Sequence, residues 1–196
     1  GERSFELLQS QPGKGLSRLP QPSEGDMFFD MEGDPLFEDG LEYLFGIITV
    51  DSGEQNFHTF WAHDRDEEKS AFQTAMDFMV GRLENYPDAH IYHYAAYEES
   101  ALKRLAMFHG TREGEVDDFL RGHKLVDLYQ VVRETLRTSE PGYSIKNMEK
   151  FYLKDARIGD VTTAGDSIVM YERWRILKDD GLLKEIADYN ELDCVS

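Results

Sequence analysis

The 196-residue sequence predicts an α/β or α+β domain in which helices pack on a central sheet. Two observations carry that expectation. Three strand-like runs follow one another near the front, and after them helical patterns alternate with short apolar runs until two helices close the chain. The sequence contains no internal repeat.

Each element has a local reason. Residues 1–25 hold Pro12, Pro20 and Pro22 among Gly13, Gly15 and Gly25, which reads as an extended arm or linker without a packed element. Within it "GKGLS" lacks the glycine spacing of a phosphate-binding loop and follows no strand. Strands are expected over Met27–Glu32, Glu42–Val50 and Asn56–Ala62, the last two joined by the turn "DSGEQ". Asp64–Glu84 opens with acids and repeats Phe72, Ala75, Met76, Met79, Val80 and Leu83 at helical spacing. Ala89–Tyr94 is a short strand, and Tyr97–Phe108 a helix with Leu102, Leu105 and Ala106 inward. "GTREGEV" reads as loop and Asp117–Arg121 as a short helix. "HKLVDLYQVVRETL" passes from strand to helix at Asp127, and "PGYSIKNMEKFYL" from turn to helix with Ser144 as N-cap. "IGDVTTAGDS" is a loop. Helices over Ser167–Lys178 and Leu182–Val195 follow, with "DDG" as the C-cap and turn between them.

Composition narrows the class. An apolar fraction of 40% and an aromatic fraction of 12% suit a real core. No apolar run approaches the roughly 20 residues that span a bilayer, and no signal-peptide pattern opens the chain. Cys194 is the only cysteine, which excludes an internal disulfide or thiolate zinc site and makes a reducing, cytoplasmic setting the expectation. The formal charge of −18 argues against a nucleic-acid-binding domain at long range. Its distribution softens that argument. Residues 26–98 carry seventeen acids against three bases, whereas Lys103–Arg157 carries eleven bases against nine acids. An ordinary solvated acidic surface is the competing explanation.

Carboxylates recur at three places. In "MFFDMEGDP" the strand alternation puts Asp30 and Glu32 on one face, although a strand end emerging into solvent would look the same. Glu98 falls in the first turn of a helix, where the helix dipole alone favours an acid. Tyr189 and Asp193 lie four apart on the closing helix, behind the inward residues Leu182, Leu183 and Ile186. Asp127 also follows a strand directly, and an N-cap role explains it better than a ligand role. His93 reads as a hydrogen-bonded strand-end residue. The remaining histidines show no zinc-ligand spacing. Trp61 and Trp174 read as packing residues.

In this order the pieces resemble DnaQ-like, ribonuclease-H-fold 3′–5′ exonucleases of the DEDD type, tyrosine subclass. More narrowly they resemble the YprB-like ribonuclease-H domain of predicted RecB-family nucleases. "FFDMEG" stands for the first motif, His93-Tyr94-Ala95-Ala96-Tyr97-Glu98 for the second, and Tyr189-Asn190-Glu191-Leu192-Asp193 for the third. "KLVDLYQ" and "GYSIKNMEKF" agree with two further marks of the family. The second motif departs from the pattern, with Tyr94 for Asn and Glu98 for Asp, and a Glu reaches one methylene further.

The resemblance, over residues 26–196, implies an α/β fold with a mixed central sheet of about five strands, the first three antiparallel, flanked by helices. It implies a two-metal 3′–5′ exonuclease acting on DNA or RNA, with single strands or 3′ ends as substrate. Asp30, Glu32, Glu98 and Asp193 would hold two Mg²⁺ or Mn²⁺ ions, since hard cations favour oxygen ligands. Tyr189 would orient the attacking water, because a phenol of ordinary pKa about 10 is a poor base at neutral pH. Tyr143, Ser144 and Lys146 are candidate contacts to the nucleic-acid backbone, with a solvated helix start as the alternative. The domain is expected to belong to a larger polypeptide whose other domains supply basic surface. An inactive scaffold module within a nuclease–helicase protein is the alternative function, and ribonuclease-H-like endonuclease activity a third.

Overall fold

In the computed structural model, which describes residues 3–153 and 161–196, the front of the chain is tied down. Phe5–Leu7 (β1) pairs antiparallel with Leu136–Thr138, and Gly15–Arg18 forms a 3-10 turn. The reading of residues 1–25 as an extended arm did not include this short exposed strand or the 3-10 turn. The glycines and prolines supply turns as expected, but the backbone between them finds a partner strand that the sequence had hidden in the tail of a helix. Arg18 clasps Glu134 through two hydrogen bonds of 2.6 and 3.0 Å, and the Gly15 amide donates to the same carboxylate at 2.8 Å.

Met27–Asp34 (β2), Leu41–Asp51 (β3) and Glu54–Trp61 (β4) form an antiparallel meander. Arg65–Asn85 (α1) follows, capped by the Asp64 carboxylate on the Glu67 amide. Ile91–His93 (β5), Tyr97–His109 (α2), Glu113–Arg121 (α3) and Leu125–Asp127 (β6) come next, then Leu128–Thr135 (α4) and Leu136–Thr138 (β7). Ile145–Glu149 (α5), Ala164–Leu177 (α6) and Asp180–Val195 (α7) complete the described elements. The main sheet has five strands in the order β4-β3-β2-β5-β6, with β2, β5 and β6 parallel. That is the mixed α/β architecture the resemblance implies.

Strand alternation decides which face is which. Met27, Phe29 and Met31 of β2 enter one core with α1, α2 and α3, where Phe72, Met76, Met79, Leu102 and Leu105 are fully buried. Asp30 and Glu32 point to the opposite face, which α6 and α7 cover. There Tyr43 stacks on Tyr171 at 3.9 Å, alongside Trp174, Ile186 and Tyr189. β3 is buried from Leu41 to Thr49 because both layers press on it.

Several boundaries differ from expectation. α3 starts at Glu113, inside the segment read as loop, and α6 starts at Ala164 with a Thr163–Asp166 capping box. The turn between α6 and α7 uses Lys178 in the left-handed region (φ 54°) and Asp179 as the next N-cap, so Gly181 lies inside α7. Residues 158–160 of the expected "IGDVTTAGDS" loop lie outside the described residues.

The arm gives a pH test. Arg18's hydrogen bonds, followed by the Gly15 amide, hold the Glu134 carboxyl down at about 2, from an ordinary 4.5. A depressed carboxylate contributes attachment above its ordinary pKa and loses it as pH falls toward 2. Glu134→Gln should therefore speed hydrogen exchange at the Leu8 amide, which donates to the Thr135 carbonyl, at pH 7. In the parent chain the same amide should lose protection between about pH 4.5 and 2.

Candidate active site

The carboxylates converge where the parallel strands end, the usual place for a site in such sheets. Oxygens of Asp30, Glu32 and Asp193 all lie within 4.8 Å of one another. Asp30 and Glu32 come from β2 and Asp193 from the last turn of α7. Glu98, in the first turn of α2, is buried and makes hydrogen-bonding contact with Asp30. All four line a cleft of about 630 Å³, together with Tyr189. The extra methylene at Glu98 thus does not keep it out of the site.

Glu98 is placed by strain. Ala95 takes the left-handed conformation (φ 73°), uncommon outside glycine, and turns the chain from β5 into α2. Two neighbours hold it there. Its amide donates to Asp127 Oδ1 at 2.9 Å, and His93 Nδ1 donates to its carbonyl at 2.7 Å. Asp127 also caps α4 through the Tyr129 and Gln130 amides, so the N-cap expectation holds and Asp127 does not line the cleft. His93 is the buried strand-end residue expected.

Other side chains fix the ligand candidates. Asn190, fully buried, donates from Nδ2 to Asp30 Oδ2 at 2.7 Å. It fits because residue 46 on β3 is glycine: a Cβ there would lie 1.7 Å from Asn190 Oδ1. Ser167 on α6 hydrogen-bonds both Glu32 and the Tyr43 hydroxyl, the latter at 2.5 Å. Lys146 Nζ donates to Tyr189 Oη at 2.7 Å, which brings this predicted substrate contact to the site. Ser144 instead caps α5, and neither it nor Tyr143 lines the cleft.

Sequence reasoning missed Asn190, Ser167, Tyr43 and Gly46. An Asn inside the Tyr–Asp turn of an amphipathic helix was a usable signal. Ser167 and Gly46 had none, because their partners are far away in the chain.

The electrostatics fit a cation site. Asp30 keeps a partly exposed edge, yet burial pushes its carboxyl well above the ordinary range, and Glu98, Asp193 and Glu32 add to this. Burial raises Glu32 to about 8; the Ser167 hydrogen bond opposes the shift and Asp193 reinforces it. Among the described residues Glu98 Oε2 is buried with no hydrogen-bond partner, and His93 Nδ1 lies 3.7 Å from it. Carboxylates this close need protons or cations between them, and an all-oxygen donor set matches Mg²⁺ or Mn²⁺.

Compared with known protein families, the chain matches the model of the RNase H superfamily over residues 27–196. The chain belongs to the RNase H superfamily. This is a nuclease-type domain for nucleic-acid hydrolysis, typically with divalent metals, and it carries a matching carboxylate cluster. No match was found among curated proteins or among solved structures. Among the described residues no helix is long and apolar enough to cross a membrane.

The Gly46 contact yields a prediction. Gly46→Ala should destabilise the protein by about 1–3 kcal/mol in urea unfolding, as overpacking does. It should also weaken Mn²⁺ binding in calorimetry by displacing Asn190 from Asp30.

Proposed function

We propose that this chain is a two-metal 3′–5′ exonuclease of the DEDD tyrosine type, acting on single-stranded DNA or RNA ends. The observation that carries this reading is the convergence of acids from β2, α2 and α7 in one cleft, with Tyr189 one helical turn before Asp193. That spacing on one helix favours the exonuclease over a ribonuclease-H-like endonuclease.

Asp30, Glu32, Glu98 and Asp193 would hold the ions, with Asp30 central because it contacts the other three electrostatically. Bound divalent ions neutralise charge on the attacking and leaving oxygens of a phosphodiester. The chain's own residues do the rest. Asn190 and Ser167 fix the rotamers of Asp30 and Glu32 before any ligand arrives. Tyr189 orients the water, and the Lys146 hydrogen bond restricts where its hydroxyl points. The water oxygen bonds to phosphorus as the P–O3′ bond breaks; the water gives up a proton, O3′ takes one up, and a nucleoside 5′-phosphate leaves a strand ending in a new 3′-hydroxyl.

A single strand with a free 3′ end should be shortened stepwise in Mn²⁺, and the same strand with a blocked 3′ end should persist. Cutting within the blocked strand would replace the exonuclease reading with an endonuclease one. Mn²⁺ titration that gives neither heat nor a rise in Tm would remove the metal centre and favour the inactive module.

Two substitutions test the assignments. Asp30→Asn should abolish cleavage and stabilise the metal-free protein by ~1 kcal/mol in denaturant unfolding, because one repelling charge is gone. Tyr189→Phe should slow turnover while Mn²⁺ affinity in calorimetry stays unchanged.

A further inference from the structure

We propose that Arg104 on α2 is a substrate-phosphate contact, held in the cleft by Glu42 and Tyr97. This rests on the nuclease reading above and adds a binding group to it. Among the described residues lining the cleft, seven carry carboxyl groups and Arg104 is the one basic side chain. A polyanion cannot enter such a cleft on acids alone. Four of the seven are the proposed ion ligands. Of the other three, Asp34 faces Arg175 at 4.0 Å and Glu42 faces Arg104.

The surroundings of Arg104 are built around its partner. Glu42 is 3% exposed, and the Tyr97 hydroxyl contacts its two carboxylate oxygens at 2.8 and 2.9 Å. The Glu42 amide in turn donates to buried Glu68 at 2.7 Å, which anchors the backbone. Arg104 adds a hydrogen bond from Nη2 to Glu42 Oε1. Room for this cluster comes from the β-bulge at Glu32/Gly33: a Cβ at Gly33 would lie 2.4 Å from Glu42 and 2.7 Å from the Tyr97 hydroxyl.

An ion pair serving Glu42 alone would not need so exposed a partner. The Arg104 side chain, which lines the cleft, is 47% exposed, against 4% for Glu42. A guanidinium presents five N–H donors in a planar fork suited to phosphate. The hydrogen bond to Glu42 runs through Nη2, and among the described residues the guanidinium's other N–H groups have no hydrogen-bond partner. Arg104 from α2 and Tyr189 from α7 line the same cleft, so a strand bound there has both within it. Glu42 and Tyr97 are positioning residues here, and Arg104 is the group that touches substrate.

Equilibrium binding separates this from the catalytic reading. Fluorescence anisotropy of a labelled single-stranded oligonucleotide would be followed in EDTA, with the full chain and with Arg104→Ala, Arg104→Lys and Glu42→Gln. Arg104→Ala should weaken binding about ten-fold and lower the slope of log K against log salt by about 0.7, as expected for one lost phosphate contact on a single strand. Arg104→Lys should restore the salt slope but only part of the affinity. Glu42→Gln should fall between the parent and Arg104→Ala. In Mn²⁺ turnover, Arg104→Ala should raise KM with kcat within about two-fold, while Mn²⁺ affinity stays unchanged. An unchanged salt slope in Arg104→Ala, or no oligonucleotide binding by the parent chain, overturns the proposal. If Arg104→Ala does not fold by circular dichroism, the lysine variant decides: reduced affinity with an unchanged salt slope supports the contact, and unchanged affinity overturns it. Loss of cleavage with these binding differences intact would instead sink the exonuclease reading alone.

Discussion

Like charges brought together out of water set the terms for the rest of this molecule. Asp30, Glu32, Glu98 and Asp193 repel one another, and burial strengthens the effect by removing the solvent that would screen it. A fold that tolerates this must hold the acids through packing elsewhere. The sheet does so by burying β3 on both faces and by seating α6 and α7 against it with stacked rings of Tyr43, Tyr171 and Trp174. Neutral donors, Asn190 and Ser167, then aim the carboxyl groups without cancelling their charge. What remains uncompensated is negative charge.

The second theme is that strain and close approach stand where the site is made. Ala95 sits in a conformation alanine seldom adopts, and Asp127 and His93 both spend a hydrogen bond on keeping it there. Gly33 and Gly46 are the two places where a missing side chain lets a polar group reach the site's surroundings. None of these residues is a ligand candidate. They decide whether the four carboxyl groups are within reach of each other.

Much of this was legible in the residues. Alternation along "MFFDMEG" told which way Asp30 and Glu32 face, and helical spacing put Tyr189 and Asp193 on one side of α7. The order of strands and helices gave a sheet with helices packed on it, and the family resemblance implied that the sheet is mixed and about five-stranded. Asp127 and Ser144 were readable as caps because capping is a short-range property. What escaped had long-range causes. β7 was invisible because three residues at the end of a helical pattern become a strand only when β1 lies beside them. Ser167 was unremarkable until Glu32 and Tyr43 were seen around it. The arm's attachment escaped because its partners, Glu134 and β7, lie a hundred residues and more along the chain.

The approach of Asn190 to Gly46 also bears on how the cluster of acids is closed. Asp30 and Glu32 stand on β2 and Asp193 on α7, and α7 can seat beside β3 only where residue 46 leaves room for the Asn190 amide. Until that docking happens, the first pair of carboxyl groups lacks Asp193. The cluster is therefore a product of long-range docking, and no local turn can assemble it.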